Sequence, residues 1–256
     1  PPCPDRFILN VHSVEYLTKL KEQTLSPSEQ RRIGFPQSPL LTNRELIITQ
    51  GTIDCCHHAI KNGVALNVAG GTHHAFADHG EGFCMINDFA VAAHYLLQQN
   101  LSKNILIIDL DVHQGNGTAK IFEHHESVFT FSMHGRHNYP FHKEKSDLDV
   151  ELEDGLNDAA YLSILKENLE PLLEKVKPHF VFYLSGVDIL ESDKFGKLKV
   201  TLQGCKIRDE LIFTALRNKN IPCVVAMGGG YSPKVKTITE AHCNTFRSAK
   251  DIFDLA

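Results

Sequence analysis

The sequence predicts an α/β fold: a single domain on a predominantly parallel β-sheet with helices on both faces. Three observations carry this. Runs that are apolar throughout recur at residues 64–69, 104–109, 128–132, 180–185 and 222–227. Stretches with apolar residues at a 3.6-residue spacing lie between most of them. Glycines and polar residues cluster just after the runs. Strands that do not alternate with polar residues are buried on both sides, as a parallel sheet covered by helices requires.

Taken in order, residues 26–40, with Pro27, Pro36 and Pro39, read as a surface loop, long enough to shape a binding site. Residues 44–61 follow as a helix. The first strand, 64–69, runs into Gly70-Gly71-Thr72-His73-His74. A helix is expected over 87–99, then the strand 104–109, which ends in Asp109-Leu110-Asp111-Val112-His113. After the strand 128–132, the helix 158–176 carries its stripe at Leu162, Leu165, Leu169, Leu172 and Leu173. Strand 180–185 opens into Ser185-Gly186-Val187-Asp188, the helix 202–217 follows, and strand 222–227 ends in Gly228-Gly229-Gly230-Tyr231. Ligands of open parallel sheets bind at the carboxyl ends of the strands. Four loops carrying His, Asp, Asp and Tyr are therefore expected to converge on one site.

The length of 256 residues allows one large α/β domain or two small ones, and no repeat or low-complexity linker divides it. No run approaches the ~18 apolar residues of a membrane span. The start, Pro-Pro-Cys-Pro-Asp-Arg, lacks the regions of a secretion signal and an initiator Met, and reads as a processed or truncated chain. Seven cysteines without a repeating spacing suggest a reducing compartment, so an intracellular, cytoplasmic location is expected, or a nuclear one in a eukaryote. A formal charge of −5 argues against nucleic acid as a direct partner. Fifteen histidines without cysteine knuckles suggest a metal held by imidazole and carboxylate. His57, His58, His124 and His125 are expected on helix surfaces, outside any site.

Alternate residues of an extended segment share a face, so Asp109, Asp111 and His113 can point together. Asp111 and His113 suit a divalent metal, and Asp188 can supply a third ligand. Two carboxylates and one imidazole leave positions open, as a catalytic zinc site needs. Alone, this motif fits equally well a helix capped by Asp109 with His113 on the surface; the other three loops favour the metal. His73 and His74, after a glycine turn, can both face one cavity and supply a base near neutral pH. Asp109 would orient such a ring. Tyr231 can donate to an oxyanion, although a Gly-rich turn before a core tyrosine reads the same way. Together these parts describe metal-assisted hydrolysis of a carbonyl.

These stretches, together with Gly82-Phe83-Cys84-Met85-Ile86-Asn87-Asp88 and Asp109 to Gly117, resemble the zinc-dependent histone deacetylases of the arginase/deacetylase fold. They occur in that family's order and span most of the chain. Gln114, and the Gly186-Val187-Asp188 segment without threonine, look most like its class IV branch. The resemblance implies that residues 1–256 form one deacetylase-like catalytic domain, shorter than the family's at the N-terminus, where a first strand is expected to be missing. It implies zinc ligands Asp111, His113 and Asp188, active-site histidines His73 and His74 with Asp109 as partner of His73, and Tyr231 as oxyanion donor. The Gly82 carbonyl would accept the substrate amide N–H, and Phe83 and Tyr139 would wall an acyl-lysine tunnel. A structural potassium ion would sit near Asp109, Ser132 and the carbonyls of Asp111, His113 and Met133. The implied substrate is acyl-lysine in a protein or peptide, carrying acetyl or a longer fatty acyl group.

Two departures matter. Asn116 stands where some members have an Asp partner for the second histidine, which should lower the pKa of His74 and favour it as the neutral base. No residue matches the rim aspartate that clamps the substrate backbone in several members, so looser peptide preference is expected. An amidohydrolase acting on acetylated polyamines or other small amines would use the same machinery. An arginase-like ureohydrolase would need two manganese ions and further carboxylates, where this chain has Gly115 and Leu190. A silent acyl-lysine-binding module would typically have lost a ligand or the tyrosine, and this chain keeps them.

Overall fold

The structure, a computed structural model, describes residues 1–255. Helices α1 (Asp5–Ile8), α2 (Val14–Glu22), α3 (Pro27–Ile33) and α4 (Pro39–Asn62) precede strand β1 (Val64–Asn67). Then come α5 (Asp88–Gln98), β2 (Ile105–Asp109), α6 (Asn116–Phe122), β3 (Val128–Gly135) and β4 (Leu148–Leu152). The chain closes with α7 (Asp158–Val176), β5 (Phe180–Leu184), α8 (Leu202–Asn218), β6 (Cys223–Ala226) and α9 (Val235–Phe253). The six strands form one sheet in the order β1-β6-β5-β2-β3-β4, every pair parallel.

The central strands explain the two-sided burial. Ile105 and Ile107 of β2 face one core, with Phe180, Phe182 and Leu184 of β5. Leu106 and Ile108 face the other, with Val181 and Tyr183. The first core receives α2, α4 and α5, and the second receives α7, α8 and α9. Each such side chain taken from water contributes about 1.5–3 kcal/mol, which is why no polar residue interrupts these strands.

Residues 26–40, expected as a loop, contain α3 and the start of α4. Ser26 and Glu29 make a reciprocal capping box, with Pro27 in the first turn. Ser38 caps α4 by accepting from the Leu41 N–H, so that helix starts five residues before the expected position 44. His57 and His58 are exposed on α4 as expected, whereas His124 and His125 lie in the turn after α6 rather than on a helix. Among the described residues no helix is long and apolar enough to cross a membrane, and all seven cysteines are free.

The strand order places the site. From β2 the chain moves outward through β3 to β4, then returns to the other side of β2 as β5 and continues to β6. The order reverses between β2 and β5, which opens a crevice at their carboxyl ends. Asp109 lies level with Leu184 on one side and Ser132 on the other, so the loops after β2 and β5 leave at one height, while β3 runs on to Gly135.

Candidate functional site

Asp111, His113 and Asp188 meet in that crevice. Each offers a ligand atom, and these atoms lie within 4.8 Å of one another. His113 Nδ1 is 3.0 Å from Asp111 Oδ1 and 3.1 Å from Asp188 Oδ2. Backbone N–H groups aim the carboxylates. His113 and Gly229 donate to Asp111, and Val112 donates to Asp188 Oδ1 at 3.0 Å. Asp188 Oδ2 is buried and receives no aligned hydrogen bond, although His113 Nδ1 stands 3.1 Å away. Gly229 is required here, because a Cβ on it would stand 2.1 Å from that oxygen.

Electrostatics supports a cation at this point. Burial drives the Asp188 carboxyl up to about 7, helped by the charge of Asp111. Burial opposes the His113 imidazolium, yet the adjoining carboxylates of Asp111 and Asp188 outweigh it and raise its pKa to about 10. Two buried carboxylates thus demand positive charge. A divalent ion fits this set of two carboxylates and one imidazole, in which Asp188 Oδ2 receives no aligned hydrogen bond.

His73 and His74 stand beside the trio, with their ring centroids 4.1 Å apart. Asp109 Oδ2 is 2.7 Å from His73 Nδ1, and Asn116 Oδ1 is 2.6 Å from His74 Nδ1. Burial would lower the pKa of His73, but the charge of Asp109 outweighs it, and the ring holds its proton above the ordinary range. Burial, and then the neighbouring His73, pull His74 well below it. Asn116 Nδ2 donates to Glu81 Oε1 at 2.5 Å. A carboxylate only accepts, so Glu81 fixes the amide with its oxygen toward His74. His74 therefore carries its proton on Nδ1 and leaves Nε2 free as a base.

The walls come from three segments. Gly82 has φ +55°, and a Cβ there would meet His74 Cδ2 at 2.6 Å, so only glycine lets this backbone pass the His74 ring. Phe83 follows, half exposed, with its ring centroid 6.2 Å from that of Tyr231. The edge of Tyr139 meets His74, with centroids 5.0 Å apart. Tyr231 is anchored by its N–H, which donates to Asp193 Oδ2 at 2.6 Å, and burial keeps its phenol protonated. Its ring centroid is 6.4 Å from that of His113. The structure thus gathers His73, His74, Gly82, Phe83, Asp111, His113, Tyr139, Asp188 and Tyr231 around one crevice, with Asp109 behind His73 and Asn116 behind His74. Ser132 and Met133 are buried on β3, and Ser132 Oγ lies 2.9 Å from His134 Nδ1.

Two contributors were not legible in the sequence. Glu81 acts through the Asn116 amide. Arg208 of α8 is fully buried, and its guanidinium donates to the carbonyls of Gly186 at 2.5 Å, Ser185 at 3.2 Å and Leu110 at 3.4 Å. It ties together the two loops that present Asp111 and Asp188. Asp209 balances its charge and also accepts from Tyr183 and Thr245. Helical spacing marked the buried face of α8 but gave no reason to look there for a loop-binding cation.

The model of the histone deacetylase domain matches residues 1–246. The chain belongs to the histone deacetylase family. It carries that family's hydrolytic deacetylase domain. Histone deacetylase 2 of Arabidopsis thaliana is 34% identical over 233 residues, 88% of this chain and 60% of that protein. A protein of Picosynechococcus sp. is 44% identical over 254 residues, 99% of this chain and 85% of its own length. Type-1 histone deacetylase 1 of Dictyostelium discoideum is 29% identical, and the chain spans about half of its length, 51%. Among solved structures, a histone deacetylase homologue from Aquifex aeolicus superposes with a TM-score of 0.80 at 26% identity, over 99% of this chain and 76% of that one. A deacetylase homologue complexed with SAHA gives 0.79 at 26% identity, with the same coverage. The arginase/deacetylase fold expected from the motifs is therefore the fold found.

Proposed function

We propose that the domain hydrolyses the amide of Nε-acyl-lysine, acetyl or longer, with zinc held by Asp111, His113 and Asp188. The observation that carries this reading is the buried Asp111, His113 and Asp188 cluster, its ligand atoms within 4.8 Å of one another, beside a histidine whose pKa burial holds low. Bound there, zinc supplies Lewis acidity that polarises a carbonyl and lowers the pKa of water. The protein's own groups do the rest. Gly82 holds the substrate N–H through its carbonyl, while Phe83 and Tyr139 flank the lysine stem and exclude water. His74 Nε2 takes a proton from the attacking water, and Tyr231 donates to the oxygen that gains charge. His74 then returns the proton to the departing amine, giving carboxylate and free lysine. His73, ion-paired to Asp109, keeps its proton and steadies the developing negative charge.

Potassium near Asp109, Ser132 and the carbonyls of Asp111, His113 and Met133 belongs to this proposal; the level pairing of Asp109 with Ser132 supports it. Class IV membership rests on the Gln114-Gly115-Asn116-Gly117 stretch. The free cysteines support an intracellular location. Acetylated polyamines suit the site less well, because its mouth is lined by Arg32, Lys194 and Lys197 and by no carboxylate. A silent binding module would have no need of a base tuned by Asn116 and Glu81.

Lysine peptides bearing acetyl, octanoyl or myristoyl groups test the proposal, with zinc-loaded protein and Asp188→Ala as the control. Release of any of these acids by the wild type alone supports it. Silence on all three with zinc bound contradicts it.

A further inference from the structure

Deepening that reading, we propose that the mouth selects acyl-lysines set among acidic residues. Arg32, Lys194 and Lys197 would form an electropositive, aromatic rim for carboxylates that flank the modified lysine. The proposal rests on the deacylase reading only for the identity of the central side chain.

The charge at the mouth runs against that of the molecule. The chain has 31 acidic and 26 basic residues, yet the cavity of about 470 Å³ above the site is lined by three formal cations and no carboxylate. Arg32 comes from the end of α3 on one side, and Lys194 and Lys197 from the loop after β5 on the other. Arg32 and Lys194 are exposed and stand outside every ion pair of the described residues, whereas Lys197 lies 4.0 Å from Asp154. A fourth cation sits beneath the rim: Lys143 Nζ donates to the carbonyls of Asn138 and Pro140, both at 2.6 Å.

The nearby carboxylates are committed elsewhere. Asp193 accepts from the N–H groups of Tyr231, Phe195 and Gly196. Glu81 accepts from Asn116, and Asp154 pairs with His137. Asp193 and Glu81 are thus engaged inward; Asp154 is exposed and lies against His137 and Lys197, so Arg32 and Lys194 are the rim cations outside any ion pair of the described residues. Between the cations stand exposed aromatic rings, Phe141 at 87% and Phe195 at 54%. They offer apolar contact to the main chain and stems of a bound peptide. Rim charges of this kind act on encounter and selectivity and are weakened by salt. A peptide with Asp or Glu beside the acyl-lysine gains from them, and one rich in Lys and Arg is repelled.

The test uses fluorescein-labelled acetyl-lysine peptides of equal length, flanked by Asp/Glu, Ser/Ala or Lys/Arg. Binding to the zinc-loaded protein is read by anisotropy, and acetate release is read in parallel. The acidic peptide should bind about tenfold more tightly than the basic one at low salt, narrowing to about twofold near ~0.5 M salt. Arg32→Glu with Lys194→Glu should reverse the order, its melting temperature serving as a check on folding. Equal binding, preference for the basic peptide, or no binding of any peptide overturns the rim proposal. So does a wild-type preference that salt leaves unchanged, a reading that needs no variant. Preference without acetate release upholds the rim and removes acetyl from the acyl groups of the deacylase reading; release without preference overturns the rim and keeps that reading.

Discussion

Asn116 Oδ1 lies 2.6 Å from His74 Nδ1, the place of a base's partner, and it carries no charge. Exchanging this amide for a carboxylate would set a negative charge against the ring and favour the imidazolium. A general base works when neutral, so in the proposed role a raised His74 pKa removes activity at the acid end. Asn116→Asp should therefore move the acid limb of the kcat/KM profile toward higher pH, by about one unit, or roughly tenfold in rate on that limb. A superimposable profile would remove His74 from the role of base.

Glu81 provides a companion test. In Glu81→Leu nothing holds the Asn116 amide in its orientation, and the amide can turn its NH2 toward His74. A fall in kcat of about tenfold with little change in KM is expected. Recovery in Glu81→Gln, whose side-chain oxygen still accepts from Asn116, would separate positioning from charge.

Tyr231→Phe removes one donor and leaves the ring that faces Phe83 and Phe195. Turnover should fall by about 10²–10³ with peptide affinity nearly kept. Loss of affinity equal to the loss of turnover would mean that the phenol acts in binding alone.

Arg208 joins the two ligand loops from below. Arg208→Met leaves Asp209 buried without its cation, which should cost about 3–5 kcal/mol in urea unfolding. Adding Asp209→Leu should restore much of that stability. Zinc affinity should stay weakened in the double variant, since the Leu110, Ser185 and Gly186 carbonyls still lack their clasp. Full recovery of zinc binding would reduce Arg208 to a packing residue.

His12 sets an acid limit on the fold. It is buried, its Nε2 accepts from the Asn87 N–H at 3.0 Å, and burial lowers its pKa from 6.5 to about 4. Well above pH 6.5 neither the folded nor the unfolded form holds this proton, and the stability is complete. As pH falls from there toward 4, the unfolded chain takes up the proton and the folded one does not. Stability then declines by up to about 1.4 kcal/mol per pH unit from this residue. His12→Gln, measured by urea unfolding between about pH 5 and 7, should flatten that slope.

The sheet was legible because its central strands had no alternative to burial. The site was legible because its polar residues stand at strand ends, where a parallel sheet gathers them. Strand β4 escaped notice because Asp149 and Glu151 interrupt its apolar run on an edge that only β3 covers. α3 was hidden by prolines read as loop markers, although Pro27 starts a helix and Ser26 and Glu29 cap it. Glu81 and Arg208 could not be found from spacing, since each acts across the fold on a group far away in the chain. The rim was invisible for the same reason: Arg32 and Lys194 become neighbours of one cavity only after folding.

The most direct test of the account is zinc content measured together with acetate release from an acetyl-lysine peptide, for the wild type and for Asp188→Ala. The account predicts about one zinc per wild-type chain and acetate release that follows occupancy, with both lost in the variant. A variant that keeps its zinc, or a wild type whose acetate release is indifferent to zinc, would contradict it.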